Sequence, residues 1–139
     1  MAEMTDEQRD EFLGEVRVAV LAIERDGKGP LCAPVWYRYT DGEFQIAMAD
    51  DSAKAVLLRR AGHASLCVQQ ESLPYRYVTA EGPVEVAVAD AAARDDFILE
   101  VASRYLGEEL GRQYADNFPG HDEAIVTLTP RRWRTEVLG

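Results

Sequence analysis

Cysteine and histidine are scarce in this chain, which has two of each among 139 residues. Cys32 and Cys67 lie in separate apolar segments with no Cys-x-x-Cys spacing, which excludes a disulfide scaffold and a zinc ribbon. Both thiols are expected to be buried and reduced. His63 and His121 fall in separate turn-like stretches with no third ligand at a metal-site spacing, so no metal centre is expected. Positive charge is also short. Fifteen Lys and Arg face 25 Asp and Glu, a net charge of −10. Such a balance lacks the broad basic face that nucleic-acid binding requires, though it leaves room for one small anion site. No apolar run approaches the ~20 residues of a membrane-spanning helix. The opening Met1-Ala2-Glu3-Met4-Thr5-Asp6-Glu7 is acidic and polar, unlike a secretory signal, so a cytoplasmic protein is expected. Repeats, low-complexity tracts and Ser/Pro linkers are absent, and residues 1–139 read as one domain, since single cores run to roughly 100–200 residues.

Several catalytic signatures are missing as well. There is no Gly-x-Gly-x-x-Gly, no phosphate loop ending in Gly-Lys-Ser/Thr, and no Gly-x-Ser-x-Gly elbow. Carboxylate pairs such as Asp50-Asp51, Asp95-Asp96 and Glu108-Glu109 are adjacent in sequence and so do not face each other; they read as solvated surface charge.

What the sequence does have is strand periodicity. A short helix over 5–14 comes first, with a Thr5/Gln8 capping-box pattern and Gly14 as its stop. Val16, Val18 and Val20 then alternate into a strand that ends at the turn Asp26-Gly27-Lys28-Gly29-Pro30. A second strand over 31–39 sets Leu31, Ala33, Val35, Tyr37 and Tyr39 on one face, and Asp41-Gly42 turns it into a third over 43–48. A helix from Ser52 to Arg60, a strand over 65–70 and a long strand over 75–88 follow. In that long strand Val78, Ala80, Gly82, Val84, Val86 and Val88 keep one phase, and Gly82-Pro83 marks a bend. Residues 90–118 are a helical excursion, and strands return over 124–129 and, as strand or tail, over 131–137. Short hairpins with few helices between strands point to a mainly β, α+β protein. The expected form is an antiparallel six-stranded barrel, core about 16–88 and 123–137, with peripheral helices.

Two local features could carry chemistry. Ser52-Ala53-Lys54 opens the mid-chain helix, where free N–H groups, the positive end of the dipole, a hydroxyl and an ammonium can hold a phosphate. The same residues also read as ordinary capping with a solvated lysine, and Asp50-Asp51 would repel an anion unless they point away. Arg59 and Arg60 suit the helix C-terminus for dipole reasons alone. The second feature is aromatic: Trp36, Tyr37 and Tyr39, then Tyr75-Arg76-Tyr77. These could make a flat pocket for a conjugated ring or simply pack a strand or subunit interface. Pro34 requires an edge or bulge, where free backbone groups could bond to a ring.

The run from Gly29 to Tyr37 (Gly-Pro-Leu-Cys-Ala-Pro-Val-Trp-Tyr), then Ser52-Ala53-Lys54, then Tyr75-Arg76-Tyr77-Val78 with Glu81-Gly82, resembles the pyridoxamine-phosphate-oxidase-like split β-barrel superfamily. Within it the chain is most similar to the small flavin- and deazaflavin-dependent oxidoreductases. The resemblance implies an FMN-binding split barrel, forming a homodimer with cofactor sites at the interface. It places Pro34, Val35, Trp36 and Tyr37 beside the ring, Ser52 and Lys54 on the cofactor phosphate, and Tyr75 and Arg76 at the partner's site. Arg59, with Lys54, Arg60 and Arg38, would supply a local basic groove for an acidic cofactor tail. The cofactor would be the deazaflavin coenzyme F420 or FMN, and the reaction a hydride transfer with a small conjugated substrate. Tyr37 and Tyr77 are the candidate proton donors. A non-catalytic flavin- or haem-binding barrel for sensing or storage is the alternative, and a structural dimer with a decayed site the third. The chain lacks the C-terminal substrate-binding tail of true pyridoxamine phosphate oxidases, so vitamin metabolism is not implied.

Overall fold

The computed structural model describes residues 2–138. Among them are four helices and eight strands: α1 (Asp6–Gly14), β1 (Ala19–Arg25), β2 (Lys28–Val35), β3 (Arg38–Thr40), β4 (Glu43–Ala49), α2 (Ala53–Ala61), β5 (His63–Gln70), β6 (Tyr75–Val88), α3 (Ala91–Leu106), α4 (Glu108–Asp116), β7 (Glu123–Leu128) and β8 (Arg132–Leu138). All pairings are antiparallel, in the order β2-β1-β5-β6-β7-β4-β3, with β8 added against β6. This is an antiparallel α+β split barrel.

The long strand β6 holds the two halves together. Its first part pairs with β5 and β8, and its second part, from Val84 on, pairs with β7. The change happens at Gly82-Pro83. There the Thr129 N–H donates to the Pro83 carbonyl at 3.0 Å and the Arg131 N–H to the Glu81 carbonyl at 2.8 Å. Its inward phase persists through the bend, as the alternation of Val78, Ala80, Val84 and Val86 requires.

Strand periodicity also fills the interior. Leu21, Ile23, Phe44, Ile46, Leu66, Val68, Val78, Val126 and Leu128 are buried from their several strands, joined by Phe12 and Leu13 of α1 and by Ala55 and Leu58 of α2. Each large apolar side chain contributes about 1.5–3 kcal/mol by leaving water, which is the main force closing the barrel. The capping box that begins α1 is present: Gln8 N–H donates to Thr5 Oγ1 at 3.1 Å, and Thr5 N–H to Gln8 Oε1 at 2.9 Å. Helices α3 and α4, separated at Gly107, pack so closely that a Cβ on Gly111 would fall 2.5 Å from Ser103 Cα. That approach sets α4, with Tyr114, beside the end of β2.

Three expectations are corrected. The sheet has eight strands, not six. The stretch over 31–39 is two strands, because the chain leaves β1 at Trp36-Tyr37 and the Tyr37 N–H donates to Tyr105 Oη at 3.1 Å instead of entering a ladder. Of the two readings for 131–137, strand or tail, the strand is the one present, paired with β6 from Tyr75↔Leu138 to Glu81↔Arg132. The thiols are free but not buried: Cys32 is exposed and Cys67 half-buried. Both project from the outer face, since the register pairs Cys32 with Ala22 and Cys67 with Val20, outward residues of β1.

Candidate functional site

The first turn of α2 carries the site's positive charge. Ser52 is the N-cap, its hydroxyl accepting the Ala55 N–H at 3.2 Å, and Gly62 ends the helix in the left-handed region at φ 74°. Lys54 is half-buried and, among the described residues, makes no ion pair. Arg59 does the opposite. It reaches from the last turn back to Asp50, donating to the backbone carbonyl at 2.9 Å and pairing with the carboxylate. That contact neutralises one of the two acids before the helix and takes Arg59 out of service. Arg38 is likewise committed, to Glu100 and Gln45.

A cleft of about 410 Å³ opens beside Lys54. Pro34, Val35 and Trp36, at the end of β2, form one wall, while Phe97, Ile98, Val101 and Ala102 of α3, with Tyr114 and Phe118, form the other. Because β2 pairs only with β1, Pro34 costs no ladder bond, as its missing N–H demands. Trp36 stacks on Tyr105, with centroids 4.9 Å apart and planes 6° from parallel, and Tyr114 tilts against the same indole with centroids 5.7 Å apart. Tyr105 is itself fixed. Its hydroxyl donates to the Arg17 carbonyl at 2.6 Å and accepts the Tyr37 N–H. The indole therefore has a defined plane.

At the inner end lies Glu123, the one charged residue buried to 5% exposure among the described residues. Its Oε2 has no hydrogen-bond partner. His121 Nε2 stands 3.5 Å from it, near enough for attraction but not aligned to bond. Burial raises the Glu123 carboxyl above the usual range, only partly offset by His121, Arg94 and Lys54.

Of the residues singled out in the sequence, Pro34, Val35, Trp36 and Lys54 line this cleft together, with Ser52 two residues from Lys54 at the helix start. Tyr37 does not line it. Its ring is fully buried, its hydroxyl donates to the Leu13 carbonyl at 3.0 Å, and desolvation pushes its pKa up to about 12. A phenol so held serves packing, not proton delivery near neutrality. Tyr77 sits on β6 opposite Gln69 and Glu136, and Tyr75 is exposed at the start of that strand. Arg76 donates to Gln70 Oε1 and lies over the Phe12 ring at 4.9 Å. None of these three lines the cleft of its own chain.

Residues 4–136 match the family model described as pyridoxamine 5′-phosphate oxidase. The chain belongs to the pyridoxamine 5′-phosphate oxidase family. Solved structures of similar shape include a conserved hypothetical protein from Mycobacterium tuberculosis, 25% identical, covering 96% of this chain and 85% of that one with a TM-score of 0.80. An FAD-binding protein from Mesorhizobium loti is 17% identical over 99% and 98% of the two chains, TM-score 0.74. A protein described as F420 reductase is 19% identical over 90% and 94%, TM-score 0.71. No curated protein matches the sequence. The family fold thus occurs both with a flavin and in a reductase named for a deazaflavin.

The sequence reading missed part of this pyridoxamine-oxidase-family cleft. Tyr105 falls on the apolar face of the first helical stretch after Asp90, and Tyr114 and Phe118 in the second over 108–118, and periodicity alone does not separate a cleft wall from core. Glu123 looked like an ordinary charged residue at a strand start. Only the pairing of β7 with β4, Glu123 against Ala49, brings it beside the turn into α2.

Proposed function

We propose that this protein is an oxidoreductase that holds a flavin-type cofactor in the cleft between β2 and α3. The observation that carries the reading is a single cavity running from the Pro34-Val35-Trp36 edge to the unpaired Lys54 ammonium. Its volume lies in the ~300–1,000 Å³ range of small-molecule sites. The residues fit a planar ligand with an anionic handle. Lys54, Ser52 and the first N–H groups of α2 take the handle, and the β2 backbone with Trp36 takes the ring. When bound, the cofactor supplies hydride transfer at its ring to or from a small conjugated substrate. The chain's own part is to place the ring against β2, anchor the phosphate and keep water from the apolar wall of α3. Coenzyme F420 is favoured over FMN because the sequence resemblance lies nearest the deazaflavin-dependent branch.

The working unit in this reading is a homodimer. The middle of the outer face of β2, β1, β5 and β6 presents Cys32, Pro34, Val20, Ala22, Cys67 and Thr79, with Val20 42% exposed, and the charged residues Glu24 and Glu81 lie at one end of it. A central patch without charge invites association, and it is continuous with the cleft through Pro34. Tyr75 and Tyr77 lie at its border, where a partner's cleft comes within reach. The mass in solution at micromolar concentration is expected to be that of two chains, and Val20→Glu to shift it to one. A single-chain mass for the unaltered protein contradicts the dimer.

The function itself is tested by absorbance. On titration with coenzyme F420 and with FMN, one is expected to bind stoichiometrically and then to change colour with a reductant and regain it with a conjugated acceptor. Binding without turnover on any acceptor supports the sensing or storage barrel, and no binding of either cofactor removes the redox reading.

A further inference from the structure

We propose that Glu123 is a ligand-facing acid of the cleft: its unpartnered Oε2 carries the proton that lets a phosphate-bearing ligand dock beside Lys54, so that ligand and proton bind together. This rests on the cofactor reading above and adds to it a second phosphate contact and a coupling.

The topology puts Glu123 where the phosphate end must be. β7 lies against β4, with Glu123 opposite Ala49, and the Asp50 N–H donates to the Asp122 carbonyl at 3.0 Å. The start of β7 therefore runs alongside the turn that leads into Ser52 and Lys54. Glu123 and Lys54 line the same cavity. The carboxyl side chain is 6% exposed, yet Oε2 has no hydrogen-bond donor or acceptor of its own. An unsatisfied buried oxygen is costly, more so if ionised, and a ligand that bonds to it relieves that cost.

The ionisation state decides which ligand can. A carboxylate beside an incoming phosphate leaves two anions facing each other with one lysine between them. A carboxylic acid instead donates an O–H to a phosphate oxygen, while Lys54 donates from the other side. The groups that set the balance come from every neighbouring element: His121 at 3.5 Å in the loop before β7, Lys54 on α2, and Arg94 on α3, whose guanidinium reaches the His121 carbonyl at 3.4 Å. Burial outweighs these three cations and raises the Glu123 carboxyl above the ordinary carboxylate range, and a docked phosphate raises it further. By linkage, affinity for the phosphate-bearing ligand is full below the Glu123 pKa and declines as pH rises through its value in the complex.

The experiment is calorimetric titration with coenzyme F420 and with FMN between pH 6 and 8, in buffers of different ionisation enthalpy, with Glu123→Gln beside the unaltered protein. The amide keeps the shape and an N–H donor but cannot titrate. For the unaltered protein, uptake of close to one proton per ligand at the upper end is expected, with affinity falling about tenfold for each pH unit above the relevant pKa. Glu123→Gln is expected to lose that proton and to bind more tightly at pH 8. Riboflavin, which has no phosphate, is expected to bind both proteins without proton uptake. If proton uptake persists in Glu123→Gln, the proton belongs to His121 or to the phosphate itself and the proposal is overturned. Equal pH profiles for the two proteins overturn it as well. Should Glu123→Gln fail to fold, a proton count of zero for the unaltered protein still does so. Absence of binding by both cofactors at every pH overturns the cofactor reading and this coupling with it.

Discussion

Gly82→Ala is expected to lower stability by about 3 kcal/mol or more, enough to leave much of the protein unfolded at 37 °C. A Cβ at this position would stand 2.0 Å from the Thr129 carbonyl oxygen and 3.0 Å from the Arg131 nitrogen. Both are backbone atoms, so no rotamer change relieves the clash. The neighbouring strand must move, and the bonds from Thr129 N–H to Pro83 and from Arg131 N–H to Glu81 move with it. Those two bonds hold the chain between β7 and β8 against β6 at the point where β6 passes from one half of the barrel to the other. Urea denaturation followed by tryptophan fluorescence gives the number directly. As a contrast, Gly29→Ala adds the same methyl where nothing lies within 4 Å and is expected to change stability by less than about 1 kcal/mol. Equal stabilities for the two variants would mean that the close approach at Gly82 is not a constraint on the fold.

That pair of glycines shows what could be read from the sequence and what could not. Gly82-Pro83 announced a bend inside a run whose apolar phase never broke, and the bend is there. What the bend is for depends on the chain between β7 and β8, where Thr129 lies 47 residues further on, and no local pattern encodes that pairing. The same division runs through the site. Pro34 identified an edge strand because proline has no N–H to give, and Ser52-Ala53-Lys54 identified a helix start because capping is a matter of three consecutive residues. Both signals are short-range: the helix lies where it was expected, and Pro34 is on an edge strand, although that strand runs over 28–35 and not 31–39. Glu123, Tyr105 and the commitment of Arg59 to Asp50 are long-range or depend on rotamers, and residue type is silent about them. The cysteines were misjudged for a related reason. Alternation separates two faces of a strand but does not say which one meets solvent, and in β2 and β5 the thiols took the outer face.

Lys54→Ala is expected to weaken binding of the phosphate-bearing cofactor by between tenfold and about a hundredfold, because a charge-assisted contact contributes about 1.5–3 kcal/mol and each 1.4 kcal/mol is tenfold. The fold is expected to be untouched. Among the described residues Lys54 makes no ion pair, and a cation in the first turn of a helix opposes the dipole, so alanine there is neutral or slightly stabilising. A thermal melt that holds or rises while affinity collapses therefore separates a contact role from a folding role. Net charge needs its own control, since removing any cation from a chain at −10 also weakens its long-range attraction for anions. Arg60→Ala makes the same change on the exposed last turn of α2, away from the cleft, where Glu24, Arg25 and Asp26 are its neighbours. Its affinity is expected to stay within about twofold of the unaltered protein at physiological salt, where charges more than ~8 Å apart are screened. If Lys54→Ala behaves like Arg60→Ala, the ammonium is not touching the ligand, and the anionic handle must be sought elsewhere along the wall of the cleft. If only Lys54→Ala loses affinity, the first turn of α2 is the anchor from which the ring's position against Pro34 and Trp36 is set.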